Sequence, residues 1–470
     1  MEFKRKIYEK IKEWKKDPNR VPLIIDGLRQ IGKSYIVSKF ARENYKNVIT
    51  YDFRSQKTLR DIFNGDLDVD SIITKSSPYF SNVSFEPYNT VLIFEEIGDC
   101  PLARTSLKNF ALDKRFDVIA TGSLLGVINY RRKTKIDIPD GYEKIIKMTS
   151  MDFEEFLWAN GVSNSSIDIL KNHIHTKEEL PLSLENYYKE MIKRYAVIGG
   201  MPESVKAFLN TKNYIKSREI LEGLIKEYRG DFGRFINDKE EEVIDYKLQM
   251  QLNEIFDSIP SQLARENDTR KFKFSEIKKG GRSKEYEGGF DWLEKAGLVL
   301  RCFNLKSIET PLEANIDKTY FKAFITDIGL LMAMYPIATS QQFLRDELDS
   351  RKGAIFENLL AIEISKNNLP LYYFSNGSEH LEIDFILESN NGIVLLEEKS
   401  VNGKMAASKA VMEGKTPYHA AACYKIIRNN FGTGSFYISI PQYASFFLLD
   451  YINKELQKGT ELPSLVYPNE

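Results

Sequence analysis

The sequence predicts an α/β protein in three parts: a parallel, doubly wound sheet, a helical middle region and a second α/β region. Three observations support this. Over residues 1–160, short apolar runs alternate with helical patterns, which is typical of a parallel sheet covered by helices. From about residue 160 to residue 265 the pattern is helical. Beyond residue 350, a helix is followed by strand-like segments that include a hairpin signal.

Length and composition limit the classes of protein that fit. The chain has 470 residues, enough for about three domains, and 42% of them are hydrophobic, enough for packed cores. The net charge of −1 provides no global basic field, so nucleic-acid binding would need a local patch. The three cysteines lie far apart, which argues against a disulfide framework or a zinc site. No apolar run reaches the roughly 18 residues of a membrane span, so we expect no membrane partner and a cytoplasmic protein.

A complete phosphate-binding loop, G-x-x-x-x-G-K-S, runs from Gly27 to Ser34. An apolar run, Leu23 to Ile25, predicts a strand before it, and the pattern from Tyr35 to Ala41 predicts a helix after it. The glycines allow a tight turn that brings backbone N–H groups onto phosphate oxygens. Lys33 would reach the β- and γ-phosphates and Ser34 would bind Mg²⁺, so ATP and Mg²⁺ are the expected cofactors. The predicted nucleotide contacts here are Gly27, Gln30, Ile31, Gly32, Lys33, Ser34 and Tyr35.

Two further predicted strands end in polar residues. Four apolar residues, Val91 to Phe94, precede Glu95 and Glu96, and a parallel sheet binds ligands at the carboxyl ends of its strands. The first acid would hold Mg²⁺, and the second would polarise the attacking water. The plainer alternative is a core strand with solvated acids at its end. The next apolar run ends in Thr121-Gly122-Ser123, and we expect the Thr121 and Ser123 hydroxyls near the γ-phosphate or that water.

The middle region contains helical segments followed by two strand-like segments, 298–303 and 320–325, which is the order of a winged helix. We predict that Pro260 ends one of these helices. A basic run could bind nucleic acid, although a solvated helix end is the favoured alternative because such runs are common on surfaces. The members of this run are Lys278, Lys279, Arg282 and Lys284.

The C-terminal region contains a predicted hairpin whose turn lies in Ser389-Asn390-Asn391-Gly392. If the two middle residues form the turn, Asp384 pairs with Glu397; if Asn391 and Gly392 form it, Asp384 pairs with Lys399. Since strand residues two apart share a face, either register places these three side chains on one surface. They could bind a divalent metal and stabilise a phosphate, with Glu357 of the preceding helix as a further ligand. The alternative is an ordinary hairpin with Lys399 in a cross-strand ion pair.

Together, these segments resemble the prokaryotic AAA-type ATP-binding proteins that carry a C-terminal domain of unknown function, itself similar to PD-(D/E)xK nucleases. The resemblance covers nearly the whole chain. It implies an AAA-type P-loop ATPase domain at 1–160, a helical lid and winged-helix region at 161–335 and a nuclease-like domain at 336–470. It also implies roles for Glu96, Asp384, Glu397 and Lys399 in catalysis.

The chain departs from this family in three places. Glu95 stands where an aspartate is usual, and its extra methylene is expected to push the carboxylate about 1 Å toward the metal and slow hydrolysis. Gly98 stands where relatives often have glutamine. Tyr142 stands where relatives often have a basic residue that could act as an arginine finger, and Arg131 and Arg132 are the nearby substitutes.

Three functions remain open from the sequence. The first is an ATPase that works on the middle and C-terminal domains. The second is an ATP-gated, metal-dependent nuclease, with nucleic acid bound through the winged-helix and nuclease-like regions. The third is an ATP-sensing module with little turnover. The sequence also leaves a homo-oligomer open.

Overall fold

The computed structural model describes residues 2–122, 141–236, 242–265, 271–348, 352–376, 381–399 and 403–458. The α-helices in these ranges are α1 (Ile7–Lys16), α2 (Lys33–Asn44), α3 (Val69–Ser76), α4 (Pro101–Asp113), α5 (Phe153–Ala159), α6 (Asn164–Thr176), α7 (Leu182–Ile198), α8 (Pro202–Thr211), α9 (Tyr214–Asp231), α10 (Tyr246–Leu263), α11 (Ser283–Lys295), α12 (Ile328–Met334), α13 (Ile337–Leu344), α14 (Lys352–Lys366), α15 (Ala406–Met412) and α16 (Ser445–Lys458). The strands are β1 (Leu23–Asp26), β2 (Asn47–Asp52), β3 (Thr90–Glu95), β4 (Asp117–Gly122), β5 (Lys144–Lys147), β6 (Arg234–Ile236), β7 (Glu242–Ile244), β8 (Val299–Leu305), β9 (Ile316–Ile325), β10 (Tyr372–Asn376), β11 (Leu381–Ser389), β12 (Gly392–Glu398), β13 (Ala422–Ile427), β14 (Gly432–Thr433) and β15 (Ile438–Pro441).

The first five strands form a parallel sheet with the order β2-β3-β4-β1-β5. Its central strands are buried on both faces, as their continuous apolar runs predict. Phe40 of α2 packs in the core on one face, and Phe110 of α4 packs in the core on the other. The predicted parallel sheet is therefore confirmed. Its carboxyl edge brings together the residues that follow β1, β3 and β4.

The helical middle region packs directly against both neighbours. One continuous core contains Ile25 from the first sheet, Tyr195 from α7 and Leu359 from α14. The prediction that Pro260 ends a helix is wrong, because α10 continues to Leu263. Proline removes one backbone hydrogen bond, but the buried side chains of this last turn hold it in place. Within the described ranges, none of the helices is both long and apolar enough to cross a membrane.

The remaining large sheet has eight strands in the order β14-β15-β13-β12-β11-β10-β8-β9. The hairpin β8–β9, expected as the wing of a separate winged helix, belongs to this sheet because β8 pairs in parallel with β10. The predicted division at residue 335 therefore separates strands that share one sheet. The reason is physical: the buried side chains along β8 and β9 need cover, and joining the C-terminal sheet also pairs the edge of β8.

Candidate functional site

The phosphate loop lies between β1 and α2, as the sequence predicts. Gly27 has no room for a side chain, since a Cβ atom there would lie 2.2 Å from the carbonyl oxygen of Met148. Gly32 has a φ of 92°, a left-handed conformation that glycine adopts without strain. These two glycines shape a turn whose N–H groups and helix end suit a bound phosphate.

The side chain of Lys33 folds back over this loop. Its Nζ donates hydrogen bonds to the carbonyl oxygens of Gly27, at 2.9 Å, and Leu28, at 2.7 Å. Burial lowers the pKa of Lys33 to about 8, while the carboxylates of Glu96 and Asp26 act to raise it. Lys33 therefore still carries its charge at neutral pH, and its hydrogen-bond partners are neutral carbonyl groups.

The other loop residues point in different directions. The Ile31 side chain is buried, and its carbonyl oxygen accepts a bond of 3.0 Å from Arg5, which also pairs with Glu155. Tyr35 is half exposed at the start of α2. Gln30 has a φ of 62° and donates its side-chain amide to Glu227 of α9. Gln30 thus reaches the middle region through its side chain.

Ser34 and Glu95, the residues predicted to bind Mg²⁺, lie next to each other. The hydroxyl of Ser34 hydrogen-bonds with the carboxylate of Glu95, which β3 places at the carboxyl edge of the sheet. Burial raises the pKa of Glu95, and the bond with Ser34 opposes that shift. A serine hydroxyl beside a carboxylate is an oxygen donor set that suits Mg²⁺, so these residues fit the expected ion.

Glu96 follows β3 in a left-handed conformation, with a φ of 52°. Its backbone N–H donates to the hydroxyl of Thr121 at 3.4 Å, which brings the two predicted strand ends together. Its carboxylate lies 3.6 Å from the guanidinium of Arg54, which also bonds Asp99 at 3.0 Å. Ser123, Arg131 and Arg132 lie outside the described residues.

Sequence reasoning missed Asp26 and Arg54. Asp26 ends β1 directly before Gly27, and burial raises the pKa of its carboxyl group to about 6 while Lys33 opposes the shift. Within the described residues, its Oδ1 atom is buried without a hydrogen-bond partner. A single acid at the end of an apolar run was the available signal for Asp26. Arg54 had none, because only the pairing of β2 with β3 brings it to Glu96.

The C-terminal hairpin adopts the first of the two predicted registers. Ser389 pairs with Gly392 and Phe385 with Leu396, so Asn390 and Asn391 form the turn. Lys399 Nζ lies 2.7 Å from Asp384 and 3.0 Å from Glu397. The predicted convergence of these three side chains on one surface is therefore confirmed.

This cluster is largely sealed from solvent. Asp384 is 5% exposed and Glu397 is 0% exposed, and Glu397 also accepts a bond of 2.5 Å from Ser408. Burial and the charge of Asp384 raise the pKa of Glu397 to about 7. Burial acts to lower the pKa of Lys399, but the two carboxylates outweigh it and raise that pKa. The positive charge of Lys399 therefore offsets the negative charge of the two buried carboxylates.

Glu357 lies on α14, where its buried carboxylate accepts a bond of 2.8 Å from Lys322 of β9. Across the described residues, no three or more His, Cys, Asp or Glu side chains are grouped so that they could hold a metal ion. A metal at this cluster would therefore bind mainly to Asp384 and Glu397, and the role of Glu357 as a ligand stays a prediction.

Three family models match separate parts of the chain. Residues 19–157 match the model described as AAA domain. Residues 189–341 match Domain of unknown function (DUF8612), and residues 352–443 match Domain of unknown function (DUF4143). No curated protein sequence matches the chain.

Several solved structures resemble the chain at low sequence identity. The Walker-type ATPase of Pyrococcus abyssi is 13% identical with a TM-score of 0.41, over 71% of this chain and 96% of that one. The ORC2 protein of Aeropyrum pernix is 10% identical with a TM-score of 0.34, over 71% and 87%. The RuvB Holliday junction branch migration motor of Thermotoga maritima is 12% identical with a TM-score of 0.28, over 64% and 90%.

Because these TM-scores are low, the assignment depends on the AAA-domain match and on the geometry of the site. The match covers β1 to β5, and the phosphate loop and both acids of β3 lie inside it. Residues 19–157 of this chain therefore resemble the AAA domains of ATPases, and the two regions that follow match domains of unknown function.

Proposed function

We propose that the chain binds ATP with Mg²⁺ at the carboxyl edge of the first sheet and hydrolyses it there. The observation that carries this proposal is the loop from Gly27 to Ser34 beside Glu95 and Glu96. Lys33 would leave the carbonyls of Gly27 and Leu28 for the β- and γ-phosphates, which offer stronger, charged acceptors. Ser34 and Glu95 would hold Mg²⁺, which neutralises charge on the phosphates.

Glu96 would act on the attacking water. Its carboxylate would accept a hydrogen bond from the water and so hold it in line with the γ-phosphate. Thr121, bonded to the Glu96 backbone, would fix the position of this residue. Arg54 must release the carboxylate or swing with it, which favours low basal turnover and supports the sensing alternative.

The binding step is tested by Lys33→Ala. We expect this change to abolish ATP affinity in calorimetry, because it removes the charge that pairs with the phosphates. Lys39→Ala is the matched control, since Lys39 lies on the same helix but pairs with Glu2 and Glu43. Equal affinity in the Lys33 variant and the wild type would refute the assignment.

A second candidate function is cleavage of DNA by the C-terminal region, gated by the ATPase. Its supports are the convergence of Asp384, Glu397 and Lys399 and the order helix, three antiparallel strands, helix, parallel strand from α14 to β13. The two carboxylates would share a divalent metal that activates water, and Lys399 would face the scissile phosphate. The buried state of both acids means that this region must open before DNA could reach them.

This candidate is tested with single- and double-stranded DNA and Mn²⁺, with and without ATP. We expect cleavage to be lost in Asp384→Asn and retained in Glu413→Gln, an exposed acid of the same region. Cleavage that persists in Asp384→Asn would come from a contaminant. Absence of cleavage from the wild type with ATP would leave the domain without nuclease function.

A nucleic-acid partner and a homo-oligomer remain part of this proposal. So does the domain division at residues 161 and 336, although β8 and β9 of the middle region join the C-terminal sheet. The basic residues Lys278, Lys279, Arg282 and Lys284 are exposed around the start of α11, which supports contact with a polyanion. Binding of labelled DNA that weakens steeply with salt, together with the mass of the protein in solution, tests both partners.

A further inference from the structure

The last turn of α9 lies directly on the phosphate loop. Asp231 pairs with the guanidinium of Arg29, and Glu227 accepts a bond from the side chain of Gln30. The hydroxyl of Tyr228 donates to the carbonyl oxygen of Arg29 at 3.0 Å. Two consecutive loop residues, Arg29 and Gln30, are thus held by one helix of the middle region.

Arg29 lies within the phosphate loop, between Gly27 and Lys33. Its charge and that of Arg54 both act to lower the pKa of Lys33, the predicted phosphate ligand. Within the described residues, the Nε of Arg29 is buried and has no hydrogen-bond partner. Arg29 therefore has a donor that a phosphate oxygen could use, in addition to the group paired with Asp231.

A carboxylate and a phosphate compete for the same guanidinium. Guanidinium binds both through paired, charge-assisted hydrogen bonds, and a triphosphate with its greater charge is the stronger partner. The side chain of Asp231 is only 6% exposed, so its attraction to Arg29 is weakly screened by solvent. The pair is therefore strong enough to oppose a ligand that needs Arg29.

We propose that Asp231 of α9 competes with the nucleotide phosphates for Arg29, so that ATP binding loosens α9 from the phosphate loop. This inference rests on the proposed nucleotide site. By linkage, any event that pulls α9 away must raise the affinity for ATP by the same factor. Through Asp231, the position of α9 and the affinity for ATP are therefore coupled.

The other end of α9 shows where this movement would be felt. Arg218 donates to the carbonyl oxygens of Met332, Ala333 and Tyr335, at the end of α12. β9 leads into α12, and the backbone N–H and carbonyl of Ile325, the last residue of β9, exchange two hydrogen bonds with the side-chain amide of Asn358 on α14. A rigid helix therefore joins the phosphate loop to the C-terminal sheet and its adjoining helix.

The test is the affinity of the full chain for AMP-PNP with Mg²⁺, measured by calorimetry. Asp231→Asn should bind at least about fivefold more tightly than the wild type, because the amide no longer competes for Arg29. Asp257→Asn is the matched control, since Asp257 pairs with Arg229 of the same helix on the exposed surface. Equal or weaker binding by Asp231→Asn in a folded variant would overturn the proposal.

Hydrogen exchange supplies a second readout that needs no variant. AMP-PNP should raise amide exchange in residues 224–231 of the wild type more than in the first turn of α9, where Arg218 holds the helix to α12. Unchanged or slower exchange in residues 224–231 would overturn the proposal. Lys33→Ala tests the nucleotide site separately from the role of Asp231. If this variant binds AMP-PNP as the wild type does, the nucleotide site itself is refuted. If it loses affinity, the site is supported, and the Asp231→Asn result alone decides the proposal.

Discussion

The phosphate loop and the C-terminal hairpin each bring a lysine together with two carboxylates, but they partner the lysine differently. Lys33 donates to neutral carbonyl groups, and the acids at the end of β3 lie at a partly exposed sheet edge. Lys399 bridges Asp384 and Glu397 directly, and both acids are buried. A lysine held by carbonyls keeps its charge for a ligand, whereas one held by carboxylates is already neutralised. We therefore expect Lys33 to reach a phosphate with less change of its own hydrogen-bond partners than Lys399 would need.

The largest effect should come from Glu96→Gln at the first site. We expect ATP turnover to fall by about 10²- to 10⁴-fold, because an amide cannot act as the base for the attacking water. ATP affinity should stay close to that of the wild type, since Glu96 does not hold the phosphates. Steady-state turnover and calorimetry measure the two quantities separately. Wild-type turnover in this variant would assign the base elsewhere.

Replacing each lysine by methionine should separate the two sites by stability. Lys399→Met leaves Asp384 and Glu397 buried together, and we expect it to lower the free energy of unfolding by about 2 kcal/mol, allowing for protonation of Glu397. Lys33→Met removes the cost of a buried charge but also leaves the carbonyls of Gly27 and Leu28 without this donor, so the net change in stability should be small. Native-state hydrogen exchange of β11 and β12 in one variant, and of β1 in the other, reports each region. Equal losses of stability in the two variants would contradict the expected difference between the two sites.

The smallest effects should appear as pH dependences of opposite sign. Glu397 has its pKa raised from 4.5 to about 7, so the folded state binds more protons and this stability is lost as pH rises through that window. Lys33 has its pKa lowered from 10.5 to about 8, so its contribution is lost as pH falls through that window. Since each pKa moves by about 2.5, each effect is at most about 3 kcal/mol over its whole pH window.

The measurement is urea unfolding at a series of pH values, which gives the free energy of unfolding against pH. It is made on the wild type and on two variants. Glu397→Gln should reduce the slope between about pH 4.5 and 7, and Lys33→Met should reduce the slope between about pH 8 and 10.5. A wild-type slope retained in either variant would assign that titration to another group.

Local sequence patterns were enough to predict both sites in outline. The phosphate loop depends on glycines within a few residues of one another, and its strand and helix follow from short apolar periods. The convergence of Asp384, Glu397 and Lys399 follows from a two-residue turn and the alternation of side chains along a strand. In each case the interacting residues are close in sequence. The local backbone geometry therefore fixes their arrangement, whatever the rest of the chain does.

Contacts between distant segments were decided only by the tertiary structure. The pairing of Arg54 with Glu96, the placement of Asp231 on Arg29 and the addition of β8 and β9 to the C-terminal sheet join segments 42 or more residues apart. Burial also lies beyond the sequence, since the same three residues could have formed an open site rather than a sealed ion cluster. Such contacts depend on how whole elements pack, which no local period encodes.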